Sequence, residues 1–106
     1  MTDAETKIQI SDEHLRLVQN ILRAHLPPAA TAFVFGSRAK GEAWKFSDLD
    51  LAVACGAEKL STSTHAQLAW AFAESLLPYK VDVVDFNGCS EQFRAAIRGD
   101  CRRLGW

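Results

Sequence analysis

Apolar residues along this chain recur first at helical spacing, then in unbroken runs, then at helical spacing again. That succession predicts helices laid on a small sheet. Residues Met1 to Ile10 are polar apart from Ile8 and Ile10 and predict an arm that becomes ordered near Ile8. Ser11 has the chemistry of an N-cap, and Asp12 and Glu13 fall in the first turn, where a helix favours negative charge. A helix is expected from there to about His25. Leu15, Val18 and Leu22 form one row, Leu17 and Ile21 widen it, and Pro27-Pro28 stops it. Thr31–Phe35 is a continuous apolar run, as in a strand covered on both faces, and a second strand is expected from Asp48 to about Cys55, ended by Gly56.

The cluster Ser61-Thr-Ser-Thr64 offers several caps for a third segment that should reach Leu77, with Leu68, Phe72 and Leu76 as its core row. Ala69 and Ala73 allow that helix to approach a sheet closely, and Trp70 is expected to fill core space. Pro78 breaks the helix, Lys80–Phe86 reads as a third strand, and Asn87-Gly88 as a turn. Ser90 caps a last helix through about Arg98, with Phe93 and Ile97 inward and Gly99 at its end. Residues 101–106 either add an edge strand or lie over the core. The whole predicts an α/β (α+β) domain with a small mixed sheet flanked by helices.

Composition narrows the class more than the function. With 106 residues, 48% hydrophobic and 24% charged, the chain is expected to form a single soluble globular domain over residues 1–106, with no room for a second lobe. A net charge of −1 provides no global field of the kind that announces nucleic-acid binding. Cys55, Cys89 and Cys101 are scattered, no signal-peptide pattern opens the chain, and no apolar run is long enough to cross a bilayer. A cytoplasmic, reduced protein is expected. His14, His25 and His65 lack zinc-site spacing, and Glu42-Ala43 stands where a P-loop requires Lys-Ser/Thr.

The chemistry concentrates between the first two strands. Asp48 and Asp50 are two apart, so on a strand both point to one face, where their charges repel unless a cation lies between them. Oxygen ligands so held suit Mg²⁺, which takes few protein carboxylates and completes its shell with water and substrate phosphates. Residues 37–47 are too few for a parallel crossover, so the chain should fold back and bring Gly36-Ser37 beside Asp48. Gly36 lets the backbone approach a ligand, while Arg38 and Lys40 add positive charge. Phosphate donors on one wall and carboxylates on the other describe a site for a nucleoside triphosphate with magnesium.

Gly36-Ser37, ten residues, then Asp48-Leu49-Asp50, with a later Val81-Asp-Val-Val-Asp85 strand, resembles the nucleotidyltransferase superfamily of DNA polymerase β and the aminoglycoside nucleotidyltransferases. Within it the chain is most similar to the minimal nucleotidyltransferases. The likeness runs from about Ala32 to Phe86 and, more loosely, over the flanking helices.

A triad needs one more acid. Asp82 and Asp85 are three apart and face opposite sides of their strand, so only one can join the pair. Asp82 lies between valines, where an acid is costly unless a cation or hydrogen bonds receive it, and the resemblance also points to the first acid of this strand. Asp48 and Asp50 are then expected to hold Mg²⁺, and Asp82 to bind a second metal or accept the proton of the attacking hydroxyl. Ser37, the Gly36 backbone and Arg38 are expected to hold the β and γ phosphates, with Lys40 a lesser candidate.

The resemblance implies transfer of AMP from ATP to an acceptor hydroxyl. Minimal nucleotidyltransferases commonly pair with a separately encoded, all-helical HEPN protein, and in such toxin–antitoxin pairs a tyrosine of the toxin is adenylylated and its RNase activity silenced. Two rivals stand beside this expectation: a binding module that neutralises its partner by occlusion, and a small-molecule transferase of the aminoglycoside type. Trp44, in the connection before Asp48, is read as stacking on the base or touching the partner. Arg94, Arg98, Arg102 and Arg103 form either a solvated face or a stripe for an acidic partner or RNA.

Overall fold

A computed structural model of the protein describes residues 8–106, so most of the arm expected over Met1–Ile10 lies outside the described residues. Ile8 and Ile10 are half-buried against the core. Helix α1 spans Asp12–His25. Ser11 caps it, its Oγ accepting the His14 N–H at 3.2 Å, and the helix closes before Pro27 with Leu26 N–H donating to Leu22 O at 2.9 Å. Val18 and Leu22 of the expected row are fully buried.

Strand β1 (Thr31–Phe35) is followed by a single turn of helix, α2 (Ser37–Lys40), and strand β2 (Leu49–Ala54). The chain folds back as the short connection requires: β1 and β2 pair antiparallel, with Phe35 opposite Asp50 and Thr31 opposite Ala54. Helix α3 (Thr62–Ala73) then crosses over, and β3 (Val81–Asp85) returns parallel to β2, Asp50 beside Asp82. A 3-10 turn at Phe86–Gly88 leads to α4 (Glu91–Asp100), capped by Ser90, and to a two-residue strand β4 (Arg102–Arg103) antiparallel to β1. The sheet is mixed, in the order β3-β2-β1-β4.

Strand alternation divides the side chains between two layers. Ala32, Val34, Leu49, Leu51, Val53 and Val83 pack with Val18 and Leu22 of α1 and Leu68 and Phe72 of α3 in one core cluster. Phe33, Phe35, Asp50, Ala52 and Asp82 have the opposite parity. On that face α4 buries Ile97, and Phe93 stands edge-on to Phe35 with centroids 6.0 Å apart. Full burial of leucines such as Leu22, Leu51 and Leu68 contributes about 1.5–3 kcal/mol each.

Several expected boundaries and contacts differ. Helix α3 ends at Ala73 rather than Leu77, because Ser75 turns its Oγ onto Phe72 O at 2.7 Å and offers that oxygen to Leu77 N–H at 3.3 Å. This local bonding competes with the helical ladder. Leu76 therefore leaves the core row and is 87% exposed, and Trp70, off the apolar face, is 69% exposed instead of filling core space. Helix α4 runs through Gly99 to Asp100. Residues 101–106 do both things expected of them: β4 forms the edge while Leu104 is buried and Trp106 packs on the core.

Candidate active site

The site is organised by the junction where β1 becomes α2. Gly36 has φ 74° and ψ −154°, a backbone region that only glycine occupies without strain. Its Cα faces the Asp50 carboxylate so closely that a Cβ built there would overlap Asp50 Oδ2. The glycine thus serves a close approach as well as a turn, and the partner it approaches is one of the expected metal-binding acids. Gly41 closes α2 in the left-handed region, φ 76° and ψ 22°, with its N–H on Ser37 O.

The parallel pairing of β2 and β3 puts Asp50 and Asp82 at one register position, hence on the same face of the sheet. Asp48 precedes the first residue of β2 and is exposed. Burial first, then the charges of Asp82 and Asp48, holds the Asp50 carboxyl above its usual 3.8. Mutual repulsion felt at Asp50 from both other acids is the electrostatics a divalent cation relieves, so this donor set fits Mg²⁺. Among the described residues, no group of three or more His, Cys, Asp or Glu side chains converges as a preformed metal cage. Asp48 and Asp82, both exposed, have room to turn toward a shared ion.

Asp85, the rival third acid, takes the other side of β3. Its Oδ2 accepts the Leu60 N–H at 3.0 Å, ahead of α3, and its carboxylate lies against Gly88. Its Oδ1 is buried without a partner among the described residues.

Arg38 is placed differently from the expectation that it binds phosphate. It is 5% exposed and its guanidinium is directed at carbonyl oxygens: Nε and Nη2 donate to Ser47 O at 3.2 and 2.9 Å, Nη2 also to Lys45 O at 3.2 Å, and Nη1 to Gln9 O at 2.9 Å. Its face lies 3.9 Å from the centroid of Tyr79. Tyr79 belongs to the core cluster on the α1/α3 side, and its hydroxyl meets His14 Nδ1 at 3.2 Å. Burial pushes the Tyr79 phenol up, offset in part by the Arg38 charge. This group lines a cavity of about 580 Å³ with Ile8, Ile10 and Lys45. Gln9 and Tyr79 carry no local sequence signal of such a role. Only an arginine directly after Gly-Ser hints at it.

The connection into Asp48 is held in shape. Gln9 donates from Nε2 to Ala43 O and accepts the Ala43 N–H on Oε1, both at 2.9 Å, while Trp44 N–H donates to Ser47 Oγ at 2.8 Å. From this connection Trp44 and Phe46 project, 83% and 62% exposed. Of the arginines read as either a solvated face or a stripe, Arg94 pairs with Glu91 and donates to Cys89 O at 2.8 Å, and Arg98 lies over Phe86. Among the described residues no helix is long and apolar enough to cross a membrane.

Residues 16–104 match the family described as polymerase beta, nucleotidyltransferase. A Haemophilus influenzae protein named "Probable protein adenylyltransferase MntA" is 45% identical over 92 residues, which cover 87% of this chain and 79% of that protein. A crystal structure of a toxin–antitoxin with AMP-PNP superposes with a TM-score of 0.72 at 26% identity, over 86% of this chain and 72% of that one. The complex of a tri-AMPylated Shewanella oneidensis HEPN toxin with its MNT antitoxin gives 0.69 at 23% identity over 91% and 72%, a likeness of fold.

Proposed function

We propose, from the premise that this chain belongs to the polymerase beta nucleotidyltransferase family, that it transfers AMP from ATP to a tyrosine hydroxyl of a separately encoded HEPN-type toxin and so acts as its antitoxin. The observation that carries the reading is the shared register of Asp50 and Asp82 across β2 and β3, with Gly36 pressed against the Asp50 carboxylate. Two carboxylates thereby share one face of the sheet, with the Gly36 turn against one of them.

In this reading Asp48, Asp50 and Asp82 hold Mg²⁺. When bound, the ion offsets charge on the triphosphate and polarises the phosphoryl group under attack. The Gly36 backbone and Ser37 hold the β and γ phosphates, while Arg38 acts through the shape of the loop. The acceptor oxygen forms its bond to the α-phosphorus as the bond from that phosphorus to the bridging oxygen breaks, and pyrophosphate leaves. Asp82, the exposed member of the pair, accepts the hydroxyl proton. The family resemblance to MntA supports a protein acceptor over an aminoglycoside.

The test incubates the protein with ATP, Mg²⁺ and the HEPN-type protein encoded beside it, then measures the intact mass of both chains. Wild-type protein should add adenylyl groups to the partner, and Asp50→Asn should add none. Full neutralisation of the toxin by Asp50→Asn, with no mass gain from either form, would replace transfer by occlusion.

A further inference from the structure

We infer that Arg38 is a positioning residue that sets the relative placement of the three carboxylates. The inference deepens the proposed transferase reading and rests on it. Arg38 is the one strongly buried charged side chain among the described residues, and its charge meets three carbonyl oxygens and an aromatic face, with no carboxylate among the described residues within ion-pair distance. Apart from Gln9 O, in the segment ahead of α1, these contacts lie on segments that lead into the site. Ser47 O belongs to the peptide that joins Ser47 to Asp48, and it receives two of the four hydrogen bonds. Lys45 O, slightly earlier in the same connection, receives a third. The Tyr79 ring, under the guanidinium, precedes β3, and the next residue's carbonyl, Lys80 O, accepts the Leu49 N–H at 2.9 Å. Arg38 itself follows Gly36-Ser37, and its own backbone carbonyl accepts the Gln9 N–H at 2.9 Å.

One planar cation therefore joins the turn facing Asp50, the peptide carrying Asp48 and the segment feeding Asp82. Tyr79 sits in the α1/α3 core, whereas Asp50 and Asp82 face the other side of the sheet, so the guanidinium acts on the acids through backbone. A lysine cannot replace it, because a single ammonium lacks the fork that reaches Ser47, Lys45 and Gln9 together and the flat face that stacks on Tyr79. Outer groups that orient metal ligands typically matter 10–100-fold in affinity or activity, and a loss in that range is expected here.

The experiment compares wild type, Arg38→Ala, Arg38→Lys and, as a control for general destabilisation, Leu68→Ala. Mn²⁺ binding is followed by loss of the free-ion EPR signal in the presence of α,β-methylene ATP, which cannot release AMP. Adenylyl transfer to the HEPN-type partner is measured in parallel. The two Arg38 variants should bind Mn²⁺ about 10–100-fold more weakly and lose kcat by a similar factor. Leu68→Ala, though less stable, should bind Mn²⁺ like wild type below its melting temperature. Guanidinium ion at millimolar concentration should restore part of the Mn²⁺ affinity of Arg38→Ala, and should not affect Arg38→Lys.

Unchanged Mn²⁺ affinity in a folded Arg38 variant would overturn the inference, as would an equal loss in Leu68→Ala. If Arg38→Ala does not fold, Arg38→Lys decides alone. Wild-type protein that binds Mn²⁺ and nucleotide but transfers nothing to the partner would defeat the proposed function while leaving the Arg38 comparison intact.

Discussion

Replacing Gly36 by alanine separates backbone strain from damage to the site. At φ 74° and ψ −154° a side chain occupies a region that glycine alone visits freely, at a cost of about 1–3 kcal/mol. The added Cβ also overlaps Asp50 Oδ2, and regaining ordinary van der Waals contact moves that oxygen by about 1 Å, a displacement that lowers rates on the order of 100-fold. Gly41→Ala is the calibrating variant. Gly41 has φ 76° and ψ 22°, and a Cβ added there meets nothing within 4 Å, so only the left-handed penalty of about 1–2 kcal/mol applies. For a chain of this size each kcal/mol lowers Tm by about 4–8 °C. Urea unfolding of Gly36→Ala, Asp50→Ala and the double variant closes a thermodynamic cycle. Removing the carboxylate leaves the Cβ of residue 50 at 3.6 Å, an ordinary contact. Part of the Gly36→Ala cost should therefore vanish when Asp50→Ala is already present, with a coupling of about 0.5–3 kcal/mol. Equal costs in both backgrounds, or Gly36→Ala retaining wild-type transfer, would refute the close approach as the reason for the glycine.

Other variants probe the electrostatics and the layers separately. Because the folded pKa of Asp50 lies above its ordinary 3.8, ionising it opposes folding: the penalty is absent below 3.8, grows as pH rises and is complete above the elevated folded value. Without divalent cations, Asp50→Asn should therefore raise Tm at neutral pH and lose that advantage below 3.8, as followed by thermal melts across pH. Saturating Mn²⁺ should reverse the order at neutral pH, since only the wild-type carboxylate gains a ligand. Leu68→Ala should cost about 2–5 kcal/mol in urea unfolding, since Leu68 is fully buried between α3 and the sheet. Trp44→Ala, at a ring 83% exposed, should change stability by less than about 0.5 kcal/mol.

The parts of the fold legible in the sequence are those that local physics decides. Ser11 and Ser90 each cap a helix through the side-chain oxygen expected of them, Ser61 is the cap among the several its cluster offered, and the short connection after Ser37 forces β1 and β2 antiparallel. Strand parity separates Asp82 from Asp85 in the same way. The structure sends Asp85 to Leu60 and keeps Asp82 in register with Asp50. The place of Arg38 is not legible by such rules. It depends on Gln9, Lys45, Ser47 and Tyr79 meeting around one side chain, and no spacing rule records such a meeting. Leu76 and Trp70 mislead for the opposite reason: helical periodicity carries on past the point where Ser75 ends the helix, and a tryptophan's size is no guarantee of burial.

The most direct measurement is a crystal structure with Mn²⁺ and α,β-methylene ATP, the metal located by its anomalous signal. Manganese should lie among Asp48, Asp50 and Asp82, with the β and γ phosphates on the Gly36-Ser37 turn. Nucleotide and metal lodged instead in the cavity beside Arg38 and Tyr79, on the opposite face of the sheet, would contradict that arrangement and the transfer chemistry built on it.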